Sequence, residues 1–73
     1  MNGLGIKMQL IMKTEFDNLR DNDDHCYDVD SNGDKQVVKI YCGELLIAKK
    51  VKLKKSIRFF GVNNYQDYLT QEV

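Results

Sequence analysis

Aspartate and asparagine recur at every second position in Asp28-Val29-Asp30-Ser31-Asn32-Gly33-Asp34. Oxygen ligands at this spacing read like the opening half of an EF-hand calcium loop, whose closing half must bring a bidentate glutamate at the twelfth place. Counted from Asp28, the twelfth residue is Lys39 and the eighth is Lys35. A cation stands where a carboxylate is needed, and the flanks alternate like strands rather than helices. The bare turn is the better reading. Asn-Gly between two alternating runs favours a two-residue type I′ hairpin. With Asn32-Gly33 as that loop, Asp30 faces Lys35, Val29 faces Gln36 and Tyr27 faces Val38.

The same neighbourhood holds His25 and Cys26 among Asp23, Asp24 and Asp28, with a second cysteine at Cys42. A structural zinc site wants four ligands in closely spaced pairs. Here the pairs are incomplete, and hairpin parity sets Cys26 and Cys42 on opposite faces, which also forbids a disulfide between them. Neighbours on a strand diverge, so His25 cannot activate Cys26 as a nucleophile. No glycine-rich phosphate loop, serine triad or paired-glutamate arrangement occurs. The expectation is a protein without catalysis, metal or cofactor.

Charge carries more information than these motifs do. The totals balance at 11 basic and 11 acidic residues, but the chain segregates them. Residues 15–34 hold eight acids and one base, a net of −7, and residues 35–58 hold eight bases and one acid, a net of +7. Such asymmetry points to charged partners. The acids Asp17, Asp21, Asp23, Asp24, Asp28 and Asp30 form the leading candidate surface, for a protein partner with a basic face. Suitably spaced, they would imitate a nucleic-acid backbone. The alternative is nucleic-acid binding through the basic strand, using Lys49, Lys50, Lys52, Lys54, Lys55 and Arg58 followed by aromatics. Acidic and basic segments can also pair with each other, within one chain or across a homodimer.

The elements that must carry these residues follow from periodicity. Ile6, Met8, Leu10 and Met12 alternate as a half-buried strand. "TEFDNLRDNDD" reads as a strand extension or brief turn, with a capping-box-like Thr14 and Asp17, and then an acidic loop. The hairpin around Asn32-Gly33 leads to a second at Gly43-Glu44, where Cys42 faces Leu45, Ile40 faces Ile47 and Val38 faces Lys49. On that register Leu45, Ile47, Val51 and Leu53 share a face, and Ala48, Lys50, Lys52 and Lys54 share the other. Ile57 to Val62 forms a fifth strand, and Tyr65, Tyr68 and Leu69 line a short helix capped by Asn64.

The fold expected is one mainly β domain over residues 1–73: an antiparallel sheet of about five strands, a meander or partly open barrel, with a short C-terminal helix. Its core would comprise Ile6, Leu10, Tyr27, Val38, Ile40, Ile47, Val51 and Phe59 or Phe60. So small a chain has little interior from which to build a catalytic cleft. No run approaches the ~20 apolar residues of a membrane span, and two cysteines are too few for a disulfide framework. Both points suit a cytoplasmic setting with no membrane partner. Nine lysines against two arginines, six asparagines and one alanine suit an AT-rich genome. The profile is similar to that of small phage-encoded proteins that bind and disable a host protein, and an inhibitory binding role is the leading expectation.

Overall fold

The structure is a computed structural model that describes residues 7–70. Five strands, β1 (Met8–Leu10), β2 (His25–Asn32), β3 (Lys35–Cys42), β4 (Leu45–Lys52) and β5 (Ile57–Val62), form one antiparallel sheet in the order β1-β5-β4-β3-β2. The last four strands are a meander, and β1 adds beside β5 at the far edge. The sheet is open, with β1 and β2 as its edges, and does not close into a barrel. The expected Ile6 lies outside the described residues.

This order explains why only one face is covered by the described residues. To pass from β1 to β2 the chain must cross four strand spacings, roughly 19 Å. It does so as helix α1 (Lys13–Asp21), where the sequence suggested only a turn. Asp, Asn and Thr are poor helix formers, but Phe16 and Leu19 fall three apart and are completely buried against the sheet. Burial outweighs propensity. The helix starts two residues before the expected cap: Met12 is the N-cap, and Glu15 Oε1 accepts its backbone N–H at 2.9 Å. It ends at Asn22, whose Oδ1 accepts the N–H of Asp24 at 2.8 Å.

The core lies between α1, the 3₁₀ turn η1 (Tyr65–Tyr68) and one face of the sheet. Phe16, Leu19, Val38, Ile40, Ile47, Ala48, Val62 and Tyr65 are buried. The expected C-terminal helix is therefore this single 3₁₀ turn, tied to α1 through Asn18, which exchanges hydrogen bonds with the backbone of Thr70. Gly61 lies directly beneath η1. A Cβ there would stand 3.0 Å from the Tyr65 Cβ and 3.1 Å from the Ile11 Cγ2, so only glycine permits this approach.

Two registers differ from expectation. The first hairpin turns on Gly33-Asp34, with Asn32 paired to Lys35. A turn with glycine first needs one positive φ, which Gly33 supplies at 61°, whereas a turn on Asn32-Gly33 would force asparagine into that region too. The shift faces Asp30 with Val37, so the expected Asp30–Lys35 pair is not made. Instead Val29 meets Val38, Tyr27 meets Ile40 and Asp28 meets Lys39. A slip of two residues leaves every side chain on its expected face.

The second hairpin turns on Gly43-Glu44 as expected, with Cys42 opposite Leu45 and Gly43 at a φ of 64°. One pair further on, the ladder breaks. Tyr41 faces Leu46 but Ile40 faces Ala48, leaving Ile47 as the extra residue of a β-bulge. Both Ile47 and Ala48 thereby point into the core, and both are fully buried. The bulge inverts the rest of β4. Lys49 and Val51 move to the bare face, and Lys50 and Lys52 to the helix side.

Leu10 and Tyr27, expected in the core, are 67% and 58% exposed. Leu10 shares the bare face with its partner Phe60, and Tyr27 lies on edge strand β2. Val51 is half-buried on the bare face, and of the two phenylalanines it is Phe59 that packs against the core, 5.3 Å centroid to centroid from Phe16.

Candidate functional site

Strand alternation and the bulge together decide what the bare face carries. Across the sheet, one row of cross-strand neighbours runs Asp28, Lys39, Lys49, Phe60, Leu10. The next runs Asp30, Val37, Val51, Arg58, and a third runs Cys26, Tyr41, Leu46. Asp28 and Asp30 stand along the β2 edge, Lys39 and Lys49 occupy the middle beside Tyr41 and Val51, and β5 contributes Phe60 and Arg58. Tyr41, Leu46, Val51 and Phe60 are half-buried among their neighbours, although no second layer covers them among the described residues.

At the β5 side this face is indented. A depression of about 370 Å³ is lined by Lys49, Val51, Leu53, Ser56, Arg58 and Phe60. Its floor is apolar, and among the described residues its charged groups are both cationic and no carboxylate lines it. Lys49 Nζ lies 5.7 Å from the Phe60 ring centroid, over the electron-rich face. The β4–β5 turn closes one end, held by the Leu53 N–H donating to the Ser56 carbonyl at 2.7 Å. Lys54 and Lys55 are exposed on that turn.

Lys39 and Lys49 stand directly opposite each other on adjacent strands. Like charges in that position oppose strand pairing. Asp28, on the other side of Lys39, offsets part of that repulsion.

Of the basic residues singled out from the sequence, Lys49 and Arg58 meet at the depression, and Lys54 and Lys55 occupy its closing turn. Lys50 and Lys52 are carried to the opposite face by the bulge. Phe60 is one of the aromatics expected after the basic strand, whereas Lys39 and Tyr41 join the surface unanticipated. The sequence did hold a signal for these two, since they alternate with the core residues Val38 and Ile40.

The acidic candidates do not share one face. Asp17 lies on α1, accepting a hydrogen bond from Lys13 at 2.6 Å with Arg20 at 3.8 Å. The Lys13 hydrogen bond, helped by the charges of Lys13, Arg20 and Lys50, holds its carboxyl below the usual aspartate range. Asp21 pairs with Arg20 at 3.3 Å. Asp23 and Asp24 are exposed in the turn after α1, and Asp28 and Asp30 are exposed on edge strand β2. These last four make no ion pair among the described residues.

The other polar groups serve the packing. His25 Nδ1 donates to the Leu19 carbonyl at 2.8 Å, and the ring meets Tyr68 edge-on. Tyr65 donates its hydroxyl to Glu15 Oε2 at 2.6 Å, and that carboxylate holds the phenol proton, raising the Tyr65 pKa. Cys26 is exposed on the bare face and Cys42 packs against the core, the divergence that hairpin parity implies. Among the described residues no helix is long and apolar enough to cross a membrane, and no three His, Cys, Asp or Glu residues group as metal ligands. Compared with protein-family models, curated proteins and solved structures, the chain matches none.

Proposed function

We propose that this is a non-enzymatic binding domain of the cytoplasm whose bare sheet face takes an extended anionic polymer, single-stranded nucleic acid. The observation that carries this reading is the cross-strand Lys39–Lys49 pair beside Phe60. Two like charges face each other on adjacent strands at some cost to the fold, and a bound phosphate would turn that cost into affinity. Arg58 extends the cationic track, and Tyr41 and Phe60 supply the flat rings on which unstacked bases rest. The Asp28 and Asp30 edge would confine the strand to the β4–β5 side.

A binding titration by fluorescence anisotropy with single-stranded DNA and RNA tests this. Replacing Lys39, Lys49 and Arg58 by Gln should flatten the dependence of log affinity on log salt by about 2, at roughly 0.7 per lost phosphate contact. Replacing Lys50 and Lys52 by Gln should leave that slope nearly unchanged, because both lie on the helix side. Equal losses from the two sets would refute a face-specific site.

One observation favours a second reading, the acidic surface for a basic protein partner. Asp23, Asp24, Asp28 and Asp30 are exposed and unpaired among the described residues, on one turn and the strand that follows it. On that reading the domain inhibits a basic, nucleic-acid-binding host protein. Capture of a basic protein by the wild-type domain, lost when these four become Asn and kept when Lys39, Lys49 and Arg58 become Gln, would select it.

A further inference from the structure

We propose that the depression beside Phe60 is a subsite for a single nucleobase, stacked on the Phe60 ring, with Lys49 and Arg58 holding the phosphates that flank it. This rests on the nucleic-acid reading of the bare face and specifies how one nucleotide is held there. The volume of about 370 Å³ is at the small end of ligand pockets, which run from about 300 to 1,000 Å³. It suits one planar ring system and little more.

The lining matches the parts of a nucleotide. Val51, Leu53 and Phe60 offer an apolar floor, Lys49 and Arg58 offer two cations, and no carboxylate among the described residues repels an anion. In the free protein the ring face of Phe60 is occupied by its own neighbour, the Lys49 ammonium. An entering base replaces that ammonium on the ring and releases it towards the backbone phosphate, where its charge finds a stronger partner. The exchange trades a cation–π contact for a stacked base and an ion pair. Among the described residues Ser56 supplies the only hydroxyl in the lining and the walls present no array of donors and acceptors, so the site takes any base.

The 73-residue chain is titrated with an oligothymidylate of about ten nucleotides and with an abasic deoxyribose-phosphate chain of equal length. The expected result is binding of the oligothymidylate more than tenfold tighter than the abasic chain, about tenfold for each base stacked on Phe60 or Tyr41. Phe60→Leu should lower that ratio about tenfold while leaving abasic binding intact. Arg58→Gln should weaken both ligands and lower the salt slope by about 0.7. Thermal melts confirm that both variants remain folded. Equal affinity of the wild-type protein for the two chains, or a ratio that Phe60→Leu leaves unchanged, overturns the subsite while the nucleic-acid reading stands. Failure of both chains to bind at low salt overturns both.

Discussion

The two faces of the sheet differ in how much of their chemistry the fold consumes. On the helix side, Phe16, Leu19, Ile40 and Ile47 are fully buried, and Glu15, Asn18 and His25 each make a hydrogen bond that fixes α1 or its neighbours. On the bare side, Tyr41, Val51 and Phe60 are only half-buried, and the cations beside them face water. An antiparallel sheet needs just one packed face to be stable. Residues on the other face answer to sheet pairing and solubility alone. Aromatic rings among cations exceed that requirement, and the excess locates the candidate site.

The comparison breaks first at Ile40. Ile40→Ala on the helix side should cost about 2–5 kcal/mol, a large part of the stability of so small a domain. Val51→Ala on the bare face should cost clearly less, since Val51 is already partly exposed to water. Urea denaturation of both measures the difference, and near-equal losses would mean that the bare face is packed in solution.

Gly61→Ala probes how tightly the covered side is assembled. The added methyl meets Tyr65 and Ile11 at about 3.0–3.1 Å, and overpacking of that kind costs about 1–3 kcal/mol. Unchanged stability would mean that η1 does not rest on Gly61. At the first hairpin, Gly33→Ala should cost about 1–2 kcal/mol because its φ is positive, whereas Asn32→Ala should cost little. The reverse order would restore the turn on Asn32-Gly33.

Smaller effects come from titration, and both belong to the covered side. The Tyr65 pKa is raised in the folded state, so its contribution is complete below the unfolded value of 10.0 and is lost as pH rises through the higher folded value. Tyr65→Phe should remove that alkaline loss from a profile of melting temperature against pH. The Asp17 pKa is lowered, so its contribution is complete above the unfolded value of 3.8 and is lost as pH falls through the lower folded value. Asp17→Asn should flatten that acid limb by a few tenths of a kcal/mol, the usual worth of a surface helix pair. An unaltered acid limb would show that the Lys13–Asp17 bridge adds nothing.

Much of the architecture was legible without coordinates. Alternation marks all five strands, Gly43-Glu44 turns the chain where a type II′ loop should, and parity separates Cys26 from Cys42. These are local signals, carried by the two-residue period of a strand and by the rarity of positive φ outside glycine. The first hairpin was legible except for its exact loop, because a slip of two residues conserves the faces. Helix α1 was not legible, since its Asp, Asn and Thr content argues for a turn and only the sheet beneath Phe16 and Leu19 overrides it.

The candidate site was the least legible part, and the reason is one residue. By itself the sequence determined that a lysine-rich strand would alternate in this sheet. It did not determine which lysines would face which way, because that depends on whether Ile47 is counted in the ladder or bulges out of it. Regular pairing would have put Lys50 and Lys52 on the bare face and Lys49 among the core residues. The bulge disrupts the ladder locally, and the burial of Ile47 and Ala48 together beneath α1 and η1 offsets that disruption. That gain exists only once the helix lies on the sheet, so the tertiary structure decided that Lys49 meets Phe60.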